Sequence, residues 1–482
     1  MLVHLAWRRN LDGFDMALAT NRIASRGAPL WWLGAAGPKH EPGDYLCEVD
    51  EATESRLAAF GVSLAPWDDE LPDDAVAIAH PRIALVAGAG APYPSFAYYA
   101  MALARLGFDF ELVDGAAIAG GVLGRFDLAV LPGEVSVWGL DAAESVGGAD
   151  AALREFLTAG GAAIGSGGGA FYLSSGRPAW TNTAPVRPVY THEYLRTGVG
   201  MVSLSLGADS IGFGCPPSVE MPYYHGPVYA ELDRAVSTAA RFEQLVMPGH
   251  LFIDNPLHET VFREEMAGHA AILRAETRRG RALLFSPNPE MGDLVRKYIA
   301  FDGYVARYLP ILGESAMSDT LKHYRALEAP SWRLILNAIH SLMLRREPPG
   351  AMPAAPVPPQ PPEPKLRLTA ALDRALRRFP LAVDTPLREL AGLVRDVLRE
   401  RVAAVEERLA AVEQAFAALD PPAPGIRYLW SRCEAPALDA LAARGHGERP
   451  VSERLAALET PLALAEAWCR LAEGERHFGR SE

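Results

Sequence analysis

Positive charge is in short supply in this chain. Its 482 residues carry 46 lysines and arginines against 59 aspartates and glutamates, a formal net charge of −13. Such a chain repels phosphates overall, which argues against general nucleic-acid binding and against an anionic membrane surface. Cysteine is scarcer still. Cys47, Cys215, Cys433 and Cys469 lie far apart and form no CxxC pair, so they read as buried or incidental thiols rather than a metal site or a disulfide framework. No stretch approaches the ~20 apolar residues of a membrane span. The opening MLVHLAWRRNLDGFD has charges at Arg8 and Arg9 and no long apolar run, so no secretory leader is expected there. The expected compartment is the cytoplasm.

What is present is organised in blocks. The length predicts two or three domains. Residues 347–365, EPPGAMPAAPVPPQPPEPK, are too dense in proline for helix or sheet and read as an extended linker. Beyond it, 366–482 is rich in Ala, Leu, Arg and Glu. Leu398, Val402, Val405, Leu409, Val412 and Phe416 step by four and three, the seam of an amphipathic helix. Only about three heptads are present, which favours an all-α bundle, with assembly into an oligomer through these helices as an option.

Before the linker, strand and helix patterns alternate. RIALVAG (82–88), DFELVD (109–114), RFDLAVLPG (125–133) and AAIG (162–165) read as strands. FAYYAMALARLG (96–107) and DAALREFLTAGG (150–161) read as helices closed by glycine. This alternation predicts a flavodoxin-like, doubly wound parallel sheet over residues 81–346. MVSLSLG (201–207) and the hairpin HAAILRAETRRGRALLFSP (269–287) are expected to be antiparallel, with a helix over 293–309 to follow. Residues 1–80 are expected to form a small α/β appendage.

The segment GGAAIGSGGGAFYLSSG (160–176) places a glycine-rich turn between a short buried strand and a helix. Turns of this kind present a nucleophile or cradle an anion, yet this one holds neither Cys nor His. Gly165, Gly167 and Ala170 also fit G-x-G-x-x-A. The turn comes late in the domain, and only Glu193, in THEYL, lies at the distance of a ribose partner, so a dinucleotide is disfavoured and no cofactor is expected. In HLFIDNPLHE the ligand-type residues His250, Asp254, His258 and Glu259 are interrupted by Pro256, and no metal is expected. MPYYHGPVY (221–229) is read as a loop whose Tyr224 and His225 could wall a pocket.

The order IALVAG, FDLAVLPG, GSGGGA, then a hairpin ending in FSPNPEMG resembles the class I glutamine amidotransferase-like superfamily. With MPYYHGPVY it is most similar to the branch that includes the N-terminal domain of biotin–protein ligases. The resemblance covers roughly residues 80–310. It implies a Cys at the elbow, activated by the His and Glu of an H-x-E segment. Here the Cys position is Gly167, the His position is Asn288, and Glu290 is kept. The oxyanion-hole turn is Pro132–Gly133–Glu134.

A glycine cannot attack a carbonyl, and an asparagine amide cannot take a proton at neutral pH. The sequence therefore reads as a catalytically inactive amidotransferase-like protein that binds a small, anionic ligand or a protein partner. The candidate binding residues are Gly133, Gly167, Gly168, Gly169, Tyr224 and His225. Two alternatives stand beside it: a hydrolase or transferase using Ser166, Tyr224, His225 and Glu290, and a purely structural subunit of a complex. From the proline density alone, limited proteolysis is expected to cut first within 347–365 and leave a fragment of about the first 345 residues. Gel electrophoresis with mass spectrometry checks it; prior cleavage inside the first 340 residues would displace the boundary.

Overall fold

The computed structural model describes residues 1–344 apart from 11–12, 92–94, 134–136, 194–195, 230–231, 249–254, 277–279 and 293–329, together with Glu407 and Ala411. The linker at 347–365, the helical tail apart from those two residues, and the helix expected at 293–309 lie outside the described residues.

The first 80 residues build a five-stranded sheet of β1 (Leu2–Leu5), β2 (Leu30–Leu33), β3 (Tyr45–Glu48), β4 (Ala65–Pro66) and β5 (Ala75–Ala77). Its order is β4-β1-β3-β2-β5, with every pairing antiparallel. Two helices accompany it, α1 (Gly13–Ala24) and α2 (Glu51–Ala59). Asp50 caps α2 by accepting the Thr53 N–H. Val3, Leu5, Leu18, Trp32 and Tyr45 are buried between sheet and helices.

The second sheet has nine strands. Its first members are β6 (Ile83–Val86), β7 (Phe110–Val113), β8 (Leu128–Leu131) and β9 (Ala162–Ser166). β10 (Val199–Leu206), β11 (Ser218–Tyr224), β12 (Val236–Pro248), β13 (Ala270–Glu276) and β14 (Arg281–Phe285) complete it. Five strands run parallel in the order β7-β6-β8-β9-β14. Numbered along the chain as parallel strands, that order is 2-1-3-4-5, a doubly wound arrangement of the flavodoxin type. The strands expected from RIALVAG, DFELVD, RFDLAVLPG and AAIG are four of these five. Each is almost wholly buried, as a strand covered on both faces must be.

The sheet is mixed. Past β14 it continues antiparallel through β13, β12, β10 and β11, which forms the far edge. The sequence reading has no strand over 236–248, yet β12 is thirteen residues long. Arg241, Glu243 and Gln244 break its apolar pattern. MPYYHGPVY, read as a loop, instead runs as strand to Tyr224 and turns at His225, whose φ is +52°.

Side chains alternate across the sheet. Ile83 and Leu85 face α3 (Ser95–Arg105), while Ala84 and Val86 face the layer of α4 (Gly115–Ala119), α5 (Leu140–Glu144), α6 (Ala149–Ala159) and α7 (Gly168–Leu173). A further helix, Pro330–Met343, lies on the α3 side, with Trp332, Leu336 and Ile339 fully buried. It also joins the two sheets. Within it, His340 hydrogen-bonds the Tyr45 hydroxyl through Nδ1 and Asn21 Oδ1 through Nε2, both at 3.2 Å. Asn21 in turn donates to the Leu106 carbonyl at 2.7 Å.

Burial pulls the His340 ring down to about 3 from its ordinary 6.5. The folded chain keeps this ring neutral while the unfolded chain protonates it. Its contribution to stability is thus whole above about pH 6.5 and is lost as pH falls toward 3. Urea unfolding at pH 7 and pH 5 checks this. His340→Gln should cut the loss between the two by on the order of 2 kcal/mol.

Candidate functional site

The candidate site lies at the carboxyl ends of the parallel strands, where ligands sit in sheets of this order. β9 ends at Ser166 and α7 begins at Gly168, so Gly167 must turn the chain in one residue. Its φ of +47° and ψ of −112° belong to glycine. The helix then packs on β8 so closely that a Cβ at Gly169 would stand 2.2 Å from the Leu131 carbonyl oxygen.

Around this turn the structure gathers Gly133, Ser166, Gly167, Asn288 and Glu290, with the backbone of Tyr224. Ser166, Asn288 and Glu290 have no exposure at all. The Ser166 hydroxyl donates to Glu290 Oε1 at 2.8 Å, and the Asn288 amide donates to the same oxygen at 3.0 Å. The Gly133 backbone packs against this carboxylate, since a Cβ there would stand 3.2 Å from Oε1, and its N–H, with that of Glu290 itself, favours the charged form. Asn288 Oδ1 accepts the Tyr224 N–H at 3.1 Å, and the Asn288 N–H donates to the Pro222 carbonyl at 2.9 Å. Asn288 thereby pins the edge strand β11 to the elbow. From the other side, Trp332 Nε1 donates to the Glu290 carbonyl at 3.1 Å and Ser331 Oγ to the Pro289 carbonyl at 2.9 Å.

The cradle is filled by the chain itself. The Gly133 N–H, at the position the resemblance assigns to an oxyanion hole, faces the Glu290 carboxylate. The Gly168 N–H, expected to face a ligand, donates to the Gly133 carbonyl at 2.5 Å. The Gly167 N–H donates to the Phe285 carbonyl at 2.9 Å. A Cβ added at Gly167 would lie 3.0 Å from Asn288 Nδ2 and 3.2 Å from the Gly133 oxygen. The space at Gly167 is thus narrowed by the Asn288 side chain and the Gly133 backbone.

His225 follows a different course. Its Nδ1 accepts the Gly198 N–H at 3.3 Å, its ring stands edge-on to Tyr224, and its Nε2 is buried without a partner. Burial pulls this ring down to about 4, so it is neutral at physiological pH. No described contact brings it to Glu290. Cys215 lies against Asn337 and the Cys47 thiol points to the Glu48 carbonyl, so neither thiol takes the elbow position. His258 and Glu259 are exposed, and no cluster that could hold a metal occurs among the described residues.

Sequence reasoning missed Tyr99. Its hydroxyl is buried near Ser166 and Glu290; burial first and then the Glu290 charge push its pKa upward, against the Ser166 hydroxyl. It lies in the α3 pattern, whose apolar run hides a polar tip. Glu290 Oε2 has no hydrogen-bond partner.

No family model matches the chain, and no curated protein matches it. Among solved structures it is similar to a protein from Thermoplasma acidophilum that is named as part of a GMP synthase. The identity is 16%, the match covers 44% of this chain and 85% of that one, and the TM-score is 0.28. A glutamine amidotransferase is similar at 18% identity, over 43% of this chain and 90% of that one, with a TM-score of 0.28. A ThuA-like protein from Parabacteroides merdae follows at 10% identity, over 55% and 92%, with a TM-score of 0.30. At this level of likeness, what the site does is decided by its own geometry. No described helix is long and apolar enough to cross a membrane.

Burial is the largest influence on Glu290 and pushes its carboxyl up to about 7, against the donors from Asn288, Ser166 and Gly133 that favour its charged form. A folded-state value above the unfolded one means that the folded chain holds the proton longer. Stability is thus retained below about pH 4.5 and falls as pH rises through 7. Glu290→Gln removes that dependence. Urea unfolding should show the variant gaining on the wild type between pH 5 and pH 8, by a few kcal/mol; a constant difference would mean that Glu290 stays charged throughout.

Proposed function

We propose that this chain is a non-catalytic glutamine amidotransferase-like protein that acts by binding, its elbow converted into a fixed internal joint. The observation that carries this reading is the Glu290 carboxylate lodged among Ser166, Asn288 and the Gly133 N–H, where a reacting group would need to enter. With Gly167 and Asn288 in place of a thiol and an imidazole, the nucleophile and base of a glutaminase are both missing, and the Ser166–Glu290 pair that the alternative hydrolase would use is fully buried, with no exposed face for a substrate. Loss of one such member alone costs on the order of a millionfold in comparable triads.

Among binding roles, the geometry favours a protein partner or a structural place in a complex over a small anion at the elbow. An anion there would meet the Glu290 carboxylate, and the Gly168 N–H is already engaged. A small ligand has one observation in its favour, the buried Glu290 Oε2, which has no hydrogen-bond partner. Such a ligand would bring a hydrogen-bond donor to the carboxylate rather than a second negative charge. Kinship with the branch that includes the biotin–protein ligase N-terminal domain remains part of this proposal. It rests on MPYYHGPVY, whose Tyr224 N–H is held by Asn288.

The expected outcome is no release of ammonia from glutamine above background, followed by coupling to glutamate dehydrogenase. Gly167→Cys alone should stay silent, since Asn288 cannot activate the thiol. Glutamine-dependent ammonia from the wild type, abolished by Glu290→Ala, would overturn the reading.

A further inference from the structure

A second group of unpartnered polar atoms lies away from the elbow, where the 210–215 turn and the Pro330–Met343 helix meet the first sheet. There the Arg333 guanidinium lies over the Trp7 indole, with Cζ 3.7 Å from the ring centroid. Arg333 is only 9% exposed. Its Nε and the Trp7 Nε1 are both buried without a hydrogen-bond partner. The other buried arginines are matched: Arg22 with Asp109 and Arg105 with Asp15, each at 2.7 Å, and the largely buried Arg274 with Asp209 at the same distance. Arg333 has no carboxylate within ion-pair distance among the described residues.

The backbone around it comes close, with glycines where a side chain would collide with Arg333 or Trp7. Gly214, with φ of +62°, lies so close that a Cβ there would stand 2.0 Å from Arg333 Nη2; at Gly43, with φ of +92°, the distance would be 3.0 Å. Gly13 admits the Trp7 ring from the other face, since a Cβ there would stand 1.9 Å from it. Phe213 packs on Trp32 at 5.0 Å and adds an apolar wall. Two carboxylates reach Arg333 with their field, Asp44 and Glu41, and both are engaged. Asp44 accepts from His4 Nε2 at 3.0 Å and from the Trp7 and Glu41 N–H groups, while Glu41 takes Arg8 at 2.6 Å.

The recess therefore holds donors in excess and lacks an acceptor. We propose that it binds a small monocarboxylate, whose two oxygens meet the Arg333 fork with the Trp7 N–H beside it. The planar guanidinium matches a carboxylate in shape and count of donors. One positive charge, already shaded by Asp44 and Glu41, suits a single negative charge better than the two of a phosphate. Both faces of Trp7 are covered, by Arg333 and by Gly13, so the Phe213–Trp32 pair is the aromatic surface left for an apolar or aromatic remainder.

Calorimetric titration of the full chain with benzoate, acetate and inorganic phosphate, at matched ionic strength in chloride, tests this. Saturable one-to-one binding of benzoate is expected, with acetate weaker and phosphate weakest. Arg333→Met keeps the stem and removes the fork; it should weaken benzoate roughly tenfold or more, the worth of a charge-assisted pair. Trp7→Phe keeps the aromatic face without the N–H and should weaken it less. Should Arg333→Met fail to fold by circular dichroism, Arg333→Lys serves, retaining charge without the fork, and is expected to lose affinity as well. No saturable benzoate binding by the wild type, phosphate tighter than benzoate, or unchanged affinity in the folded Arg333 variant would each overturn the proposal.

Discussion

The Glu290 carboxylate is the interaction on which the rest of the second sheet's upper edge depends. A carboxylate without solvent exposure is costly unless donors surround it. Here they come from separated parts of the chain: Ser166 at the end of β9, Gly133 in the turn after β8, and Asn288 two residues before Glu290 itself. Asn288 passes the constraint on to β11, and Trp332 and Ser331 clamp the backbone of the same short segment from the Pro330–Met343 helix. Five stretches of chain are thus fixed relative to one another by one buried side chain and its neighbours.

The same constraint accounts for the state of the elbow. The backbone still makes the abrupt strand-to-helix turn, with Gly167 at positive φ and Gly169 pressed on Leu131. The N–H groups that such a turn offers are largely consumed inside the protein. The recess at Arg333 shows the opposite balance. There two donors, an indole N–H and a guanidinium, face no acceptor, while the nearby carboxylates are engaged elsewhere. At the elbow most buried donors meet an acceptor inside the protein, whereas at Arg333 and Trp7 two buried donors do not.

The Pro330–Met343 helix links these regions. Ser331 and Trp332 support the elbow segment, Arg333 forms the recess, and His340 reaches Tyr45 of the first sheet. A buried helix carrying Arg333, Asn337 and His340 is unusual, and each polar group has a position that ties it to a different neighbour. Asn337 Nδ2 donates to the Ile211 and Phe213 carbonyls, which sets the 210–215 turn against the helix.

The sequence by itself determined the parallel strands, because β6 to β9 are short apolar runs bounded by glycine turns and helices of clear periodicity. It also determined the absence of a thiol and an imidazole at Gly167 and Asn288, since side-chain chemistry is written directly in residue identity. The mixed sheet was only partly legible. The β13–β14 hairpin is an uninterrupted apolar pattern, whereas the charges at Arg241 and Glu243 obscure β12. Tertiary structure alone decided that the cradle is occupied, that Tyr99 approaches Glu290, and that Trp7 and Arg333, 326 positions apart, share a recess without an acceptor. Periodicity and local motifs report on residues a few positions apart. Whether a buried donor finds its acceptor depends on contacts between segments remote in the chain, which only the folded arrangement brings together.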